Sequence, residues 1–187
     1  MTQIAQESIL AWIRQSAPYV RAHRGKTLVI GIPGECAMRD TFTQLIHDIA
    51  ILNTLGIRLV ICHGARPQIE QAILQQGGQN NYAKGIRVTD ANSLNTVKQI
   101  ISAMHLDIQA MLSMAGNDIK ISSGNFVTAQ PIGVLDGVDY QYTGRVRNID
   151  ATSIVWQLER GAIVLISPLG HSPSGETFSL AADELTA

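Results

Sequence analysis

Residues 57–67 read Ile57-Arg58-Leu59-Val60-Ile61-Cys62-His63-Gly64-Ala65-Arg66-Pro67, and this stretch decides the fold class. An apolar, β-branched run without polar alternation is what a strand covered on both faces requires. The glycine after it permits a tight exit. Proline then suits the first turn of a helix, where its missing N–H would have had no partner. The unit is a strand over 57–62, a loop at 63–66, and a helix from Pro67 to a stop at Gly77-Gly78.

The same unit recurs on either side. Thr27-Leu28-Val29-Ile30-Gly31-Ile32 predicts a buried strand and Pro33-Gly34-Glu35 a tight loop. Asp40 is placed to cap a helix with apolar positions 42, 45, 46, 49 and 52, and Gly56 supplies its left-handed stop. Downstream, Asp90 caps the longest helix, whose Leu94, Val97, Ile101, Met104, Ile108 and Met111 form one apolar stripe. Residues 119–149 change character, with short Val, Ile, Tyr and Thr segments separated by Gly124-Asn125 and Asp136-Gly137, and predict an antiparallel hairpin insert. Asp150 starts a helix that Gly161 ends, and Ala162-Ile163-Val164-Leu165-Ile166 is again continuously apolar. Residues 167–175 read as a polar loop, followed by a strand near Thr177 and a helix opening near Ala181. Alternating strands and helices imply an α/β fold with a doubly wound, mostly parallel sheet.

Ahead of this domain, residues 4–17 place Ile9, Ile13 and Ala17 four apart beside Leu10 and Trp12, which predicts an amphipathic helix that Pro18 kinks or ends. The chain divides into an arm over 1–22 and an α/β domain over 23–187. Trp12 and Trp156, on amphipathic helices, are expected to pack. Hydrophobic residues make up 45% and charged residues 16%, with a formal net charge of -1, so the chain is globular and lacks the basic footprint of a nucleic-acid binder. Cys36 and Cys62 are too few and too far apart for a disulfide framework or a zinc site. The N-terminus lacks a signal-peptide pattern and no stretch is long enough to span a bilayer, which leads to the expectation of a cytoplasmic protein.

Doubly wound sheets bind ligands outside the carboxyl ends of their strands. The loops expected there are 33–36, 63–67 and 167–175, carrying Gly34 and Glu35, Gly64 and Ala65, and Ser167 and Gly170. Glycine lets backbone approach a ligand, although such loops also use it simply to turn. The helix start at Pro67 offers free N–H groups to an anion. Arg66 and Arg87 could each present a planar fork to a carboxylate, or could pair with a surface acid such as Asp90. His63 has no carboxylate or second histidine at metal-ligand spacing and reads as structural. Ser113, Ser122 and Ser123 have no nucleophile-elbow context. Neither a dinucleotide fingerprint nor a P-loop is present.

The segments Ser16-Ala17-Pro18-Tyr19-Val20, Leu55-Gly56-Ile57-Arg58-Leu59-Val60, Gly64-Ala65-Arg66-Pro67-Gln68-Ile69, Gly85-Ile86-Arg87-Val88-Thr89-Asp90, Ser123-Gly124-Asn125-Phe126 and Asp136-Gly137-Val138-Asp139-Tyr140 together resemble the amino-acid-kinase (carbamate-kinase-like) family, in the form of the kinase-like N-terminal domain of bacterial N-acetylglutamate synthases. The resemblance runs along nearly the whole chain. It implies ligand-binding roles for Gly34, Glu35, Gly64, Ala65, Arg66, Arg87, Asn125, Ser167, Gly170 and Asp183. Kinase relatives carry a third glycine where Arg66 stands and a phosphate-binding lysine at the position of Gly31. Ser179-Leu180-Ala181-Ala182-Asp183 keeps the aspartate of the kinases' Asn-x-Asn-Ala-Asp run without its asparagines. Phosphoryl transfer depends on such positive charge, so no catalytic residue is expected.

The resemblance further implies arginine, glutamate or N-acetylglutamate as ligands, feedback by arginine, and homo-oligomers built through Trp12 and Tyr19 of the arm. It places acetyl-CoA in an acetyltransferase domain that these residues do not include, so no cofactor and no metal is expected here, and the lobe is expected to be incomplete after Asp183. Two alternatives stay open: a small acylamino-acid kinase, and a structural assembly module.

Overall fold

The computed structural model describes residues 3–116 and 118–187, with side-chain environments from Leu10 onward. Met1, Thr2 and the side chain of Ile9 lie outside this set. Helix α1 spans Gln3–His23. Strand β1 (Thr27–Ile32) leads through a short 3-10 turn at Cys36–Met38 to α2 (Phe42–Thr54), β2 (Arg58–His63) and α3 (Arg66–Gln75). The hairpin β3 (Tyr82–Ala83) and β4 (Ile86–Arg87) precedes α4 (Ala91–Met114) and β5 (Lys120–Ser122). Then come β6 (Val127–Pro131), the small hairpin β7 (Val134–Leu135) and β8 (Val138–Asp139), and β9 (Gly144–Ile149). Helix α5 (Ala151–Glu159), β10 (Ala162–Ile166), β11 (Leu169–His171) and β12 (Thr177–Ser179) complete the order.

The main sheet is parallel, in the order β1-β2-β10-β5. Period two explains why its central strands are apolar throughout. Leu59, Ile61, Ile163 and Leu165 face a core with Ile46 and Ile49 of α2 and Ile108 and Leu112 of α4. Their alternates Val60, Cys62, Val164 and Ile166 face a second core with Ile154 and Leu158 of α5, Phe126, Phe178 and Leu185. A smaller core joins Ala65, Ile69 and Ile73 to Val97 and Ile101 of α4. The second sheet, β12-β11-β6-β9, mixes directions, with β6 and β9 antiparallel.

The local stop and start signals act where the sequence places them. Gly56, Gly77 and Gly161 follow their helices at φ of 88°, 75° and 77°. Asp90 and Asp150 accept the backbone N–H of Ser93 and Ser153 at 2.7 and 3.0 Å. Asp136 and Gly137 both take positive φ and turn β7 into β8.

Several expectations are corrected. Thr41, not Asp40, stands at the N-cap of α2, and no side chain caps that end. Pro18 lies inside α1; proline removes one helix hydrogen bond, and on an exposed helix water can satisfy the freed carbonyl. β1 is an edge strand covered on one face only, so Val29 is half exposed. The expected insert begins too early: residues 120–122 belong to the parallel sheet as its far edge. The 167–175 loop contains β11, which pairs with β12 and β6. No helix opens at Ala181; residues 182–186 make turns that bury Leu185. Trp12 is 68% exposed, and Trp156 is half exposed under the guanidinium of Arg160, 3.7 Å from its ring.

Candidate functional site

The carboxyl ends of β1 and β2 lie side by side, because β1 and β2 pair in register from Thr27↔Arg58 to Ile32↔His63. Gly64 N donates to Ile32 O at 2.8 Å, and Gln68 Nε2 donates to Gly34 O at 2.6 Å. A Cβ on Gly34 would lie 2.7 Å from Gln68 Oε1 and 2.9 Å from Pro67 Cδ, and one on Gly64 would lie 3.2 Å from Gly34 N. Neither glycine is among those with positive φ, so close approach of the two loops, rather than turning, is what requires them. Helix α3 starts at this junction with Ala65 as N-cap and no side chain bonded to its first N–H groups. Such an end favours an anion.

Two guanidinium groups hang over that helix end. Arg66 donates from Nη2 to Gly85 O at 3.1 Å, and Arg87 donates from Nη2 to Arg66 O at 3.4 Å. Both lie against the Tyr82 ring, 5.3 and 5.7 Å from its centroid. Tyr82 donates its hydroxyl to the Glu70 carboxylate; burial and that bond raise its pKa above the phenolic range. Burial likewise lowers the Arg87 pKa, opposed by Tyr82 and Glu70. The decisive detail is Arg87 Nη1, which is buried without a hydrogen-bond partner. A buried charged donor left unmade is costly unless an acceptor arrives.

These groups border a cavity of about 790 Å³. Thr143 ties its walls together: its Oγ1 donates to Arg87 O at 2.7 Å and accepts from Thr89 N at 2.9 Å. The far wall runs from Ser179 to Thr186, where Glu184 Oε1 accepts the backbone N–H of Val146 at 3.0 Å. Gly31 sits beneath this wall, and a Cβ there would meet Thr186 Cγ2 at 3.1 Å. A side chain at position 31 would press on the Thr186 side chain, which would have to give by a few tenths of an ångström.

Of the residues singled out from sequence, Gly34, Glu35, Gly64, Ala65, Arg66, Arg87 and Asp183 line this one cavity. Asn125 is exposed in the turn after β5, and Ser167 is half buried at the end of β10, both outside the lining. Gly170 is in β11, where a Cβ would press on Ala129 at 2.8 Å and Leu180 at 2.9 Å; its smallness serves sheet packing. Trp12 and Tyr19 are exposed on α1. Asp90 is engaged as a cap and forms no ion pair with either arginine; among the described residues the ion pair found is Lys84 with Asp136.

Sequence reasoning missed Gly85, Thr143, Arg145 and Glu184 as cavity residues. It also missed a histidine partner for His63: His105, on α4, puts Nδ1 3.2 Å from His63 Nε2, and its own Nε2 lies 2.8 Å from Ser123 Oγ. No motif spacing signals a pair 42 positions apart.

The amino acid kinase family profile matches residues 26–187. The chain belongs to the amino acid kinase family. An amino-acid acetyltransferase of Ectopseudomonas mendocina is 44% identical over 183 residues, which is 94% of this chain and 42% of the relative. The N-acetylglutamate synthase of Neisseria gonorrhoeae, solved with coenzyme A and L-arginine, superposes with a TM-score of 0.85 at 38% identity, covering 95% of this chain and 43% of that one. This amino acid kinase family chain therefore spans less than half the length of the synthases it matches. Carbamate kinase of Giardia lamblia, bound to AMP-PNP, shares the fold at 15% identity and a TM-score of 0.55, over 87% of this chain and 65% of that kinase. Among the described residues no helix is long and apolar enough to cross a membrane.

Proposed function

We propose that residues 26–187 are the kinase-like, ligand-binding part of an amino-acid N-acetyltransferase of the N-acetylglutamate synthase kind, and that the cavity takes an amino-acid carboxylate without transferring phosphate. The observation that carries this is the unpartnered, buried Nη1 of Arg87 beside the uncapped start of α3. A carboxylate there would accept from Arg87 and from helix N–H groups together. Gly31, packed under the Thr186 side chain, supports loss of phosphoryl transfer, since it brings no positive charge to the phosphates. In a protein of this kind acetyl-CoA is held outside these residues. Isothermal titration with L-arginine, L-glutamate and N-acetyl-L-glutamate tests the ligand; saturable heat with at least one is expected. A folded sample that gives none overturns the reading, and ATP-dependent phosphorylation of N-acetyl-L-glutamate would replace it with the kinase alternative.

Assembly through α1 belongs to the same proposal, supported by its exposed Trp12 and Tyr19, 68% and 69% accessible. Sedimentation of the chain with and without residues 1–23 should show a smaller species for the shortened form. Feedback by arginine and a cytoplasmic location complete the reading; both cysteines are free thiols, as a reducing compartment keeps them.

A further inference from the structure

We propose that His63, His105 and Ser123 form a proton-responsive hydrogen-bond chain that carries the charge state of the α4 surface to the backbone of the cavity loop at Gly64. The chain runs from Ser123, which is exposed, through the half-buried His105 to His63, which is fully enclosed as the last residue of β2. His63 Nε2 and His105 Nδ1 face each other at 3.2 Å, and His105 Nε2 is 2.8 Å from Ser123 Oγ. His63 Nδ1, on the opposite side of the ring, is buried without a partner.

Counting protons decides the tautomers. One hydrogen fits between the two facing nitrogens. A buried bare nitrogen is tolerated better than a buried N–H with no acceptor. The neutral pair is therefore His63 Nε2–H donating to His105 Nδ1, with His105 Nε2–H donating to Ser123. Adding one proton gives three N–H bonds for four nitrogens. The facing pair still holds one of them, so His105 Nε2 and His63 Nδ1 must hold the other two. Whichever ring carries the charge, the new N–H appears on His63 Nδ1.

Gly64, next in the chain, is the backbone group whose hydrogen bonding favours the protonated His63 ring. Gly64 in turn donates to Ile32 O at 2.8 Å and packs against the Gly34 loop. A proton taken up by the pair thus creates a buried donor on His63 whose hydrogen bond falls to the Gly64 backbone, which is part of this loop. Surrounding groups leave control to the pair itself. β1 presents Ile32 beside His63, α4 presents His105, and β10 lies in register with Cys62, a thiol that burial pushes up to about 11. On α3, Arg66 is turned to Gly85 O, and among the described residues no carboxylate forms an ion pair with either ring. Burial, then His105, push His63 down to about 4, and burial lowers His105. The two imidazoles lack the third ligand a metal would need among the described residues.

The test needs no amino-acid ligand, so its failure is separable from failure of the proposed function. Imidazole nitrogen and backbone amide resonances of the 15N-labelled chain are followed from about pH 7.5 to about pH 3, which takes in the ordinary histidine value and that of His63, about 4. His63 should be the Nε2–H tautomer at the start, and the Gly64 amide should titrate with the same midpoint as the rings. In His105→Phe both midpoints should move together, and Ser123→Ala should shift that of His105. An Nδ1–H tautomer of His63 at neutral pH, or a Gly64 amide that stays flat while the rings titrate, overturns the proposal. So does a Gly64 midpoint unchanged in His105→Phe, or global unfolding before either ring takes up a proton.

Discussion

Lowering the pH from about 7.5 to about 5 should remove about 2 kcal/mol of folding stability through His63 alone. The ring is completely enclosed, and burial followed by the facing His105 moves its pKa from 6.5 to about 4. Because the folded value lies below the unfolded one, the unfolded chain binds the extra proton more readily. The stability is therefore fully present above about 6.5 and is lost as pH falls toward 4. At about 1.36 kcal/mol per pH unit, the interval from 6.5 to about 4 amounts to roughly 3 kcal/mol, of which roughly 2 is lost by pH 5. That is a large share of the 5–15 kcal/mol typical of a domain. His105 is lowered too and adds in the same direction. The capping carboxylates Asp90 and Asp150 are held below 3.8 by their bonds to Ser93 and Ser153, so their effect begins only at more acid pH. Urea unfolding at both pH values measures the difference, and His63→Gln, which keeps a donor toward His105 but cannot titrate, should shrink it to the His105 share. Equal unfolding free energies at the two pH values in the unmodified chain, or a His63→Gln chain that keeps the whole difference, would refute the reasoning.

Arg87→Gln should weaken binding of whichever amino acid the titrations identify by about tenfold to a hundredfold, the worth of a charge-assisted hydrogen bond, with little change in melting temperature; unchanged affinity would remove Arg87 from the site. Gly34→Ala should destabilise by about 1–3 kcal/mol, since its Cβ would lie 2.7 Å from Gln68 Oε1 and the two loops must part; a neutral result in urea would show that the junction yields. Asp90→Ala removes the bond to Ser93 N and should lower stability by about 1 kcal/mol, read by thermal unfolding. Ile163→Ala, at a fully buried position in the central sheet, should cost about 2–5 kcal/mol, read by urea midpoint.

Much of the fold was legible because it is written locally. The strand at 162–166, the caps Asp90 and Asp150, the stops Gly56, Gly77 and Gly161 and the Asp136-Gly137 turn each act through neighbours a few residues away. The misreadings fall where local signals compete. Asp40 and Thr41 are both good caps, and tertiary position chose the second. Residues 119–123 look like hairpin sequence, yet burial against α4 and pairing with β10 draw them into the parallel sheet. The segment after Ser179 looks like a helix start, but burying Leu185 beneath the sheet fixes turns instead.

For the site, the sequence by itself determined which chemical groups stand at the strand ends: Gly34, Gly64, Arg66 and Arg87. Its pattern also carried the family resemblance, because motif residues lie close together along the chain. Only the tertiary structure decided that Arg66 and Arg87 share the Tyr82 face, that Thr186 fills the space above Gly31, and that His63 meets His105. Those contacts join residues from 5 to 155 positions apart (82 from 87, and 31 from 186). Most are set by packing of whole elements against one another, a property that periodicity and spacing along a single segment do not encode.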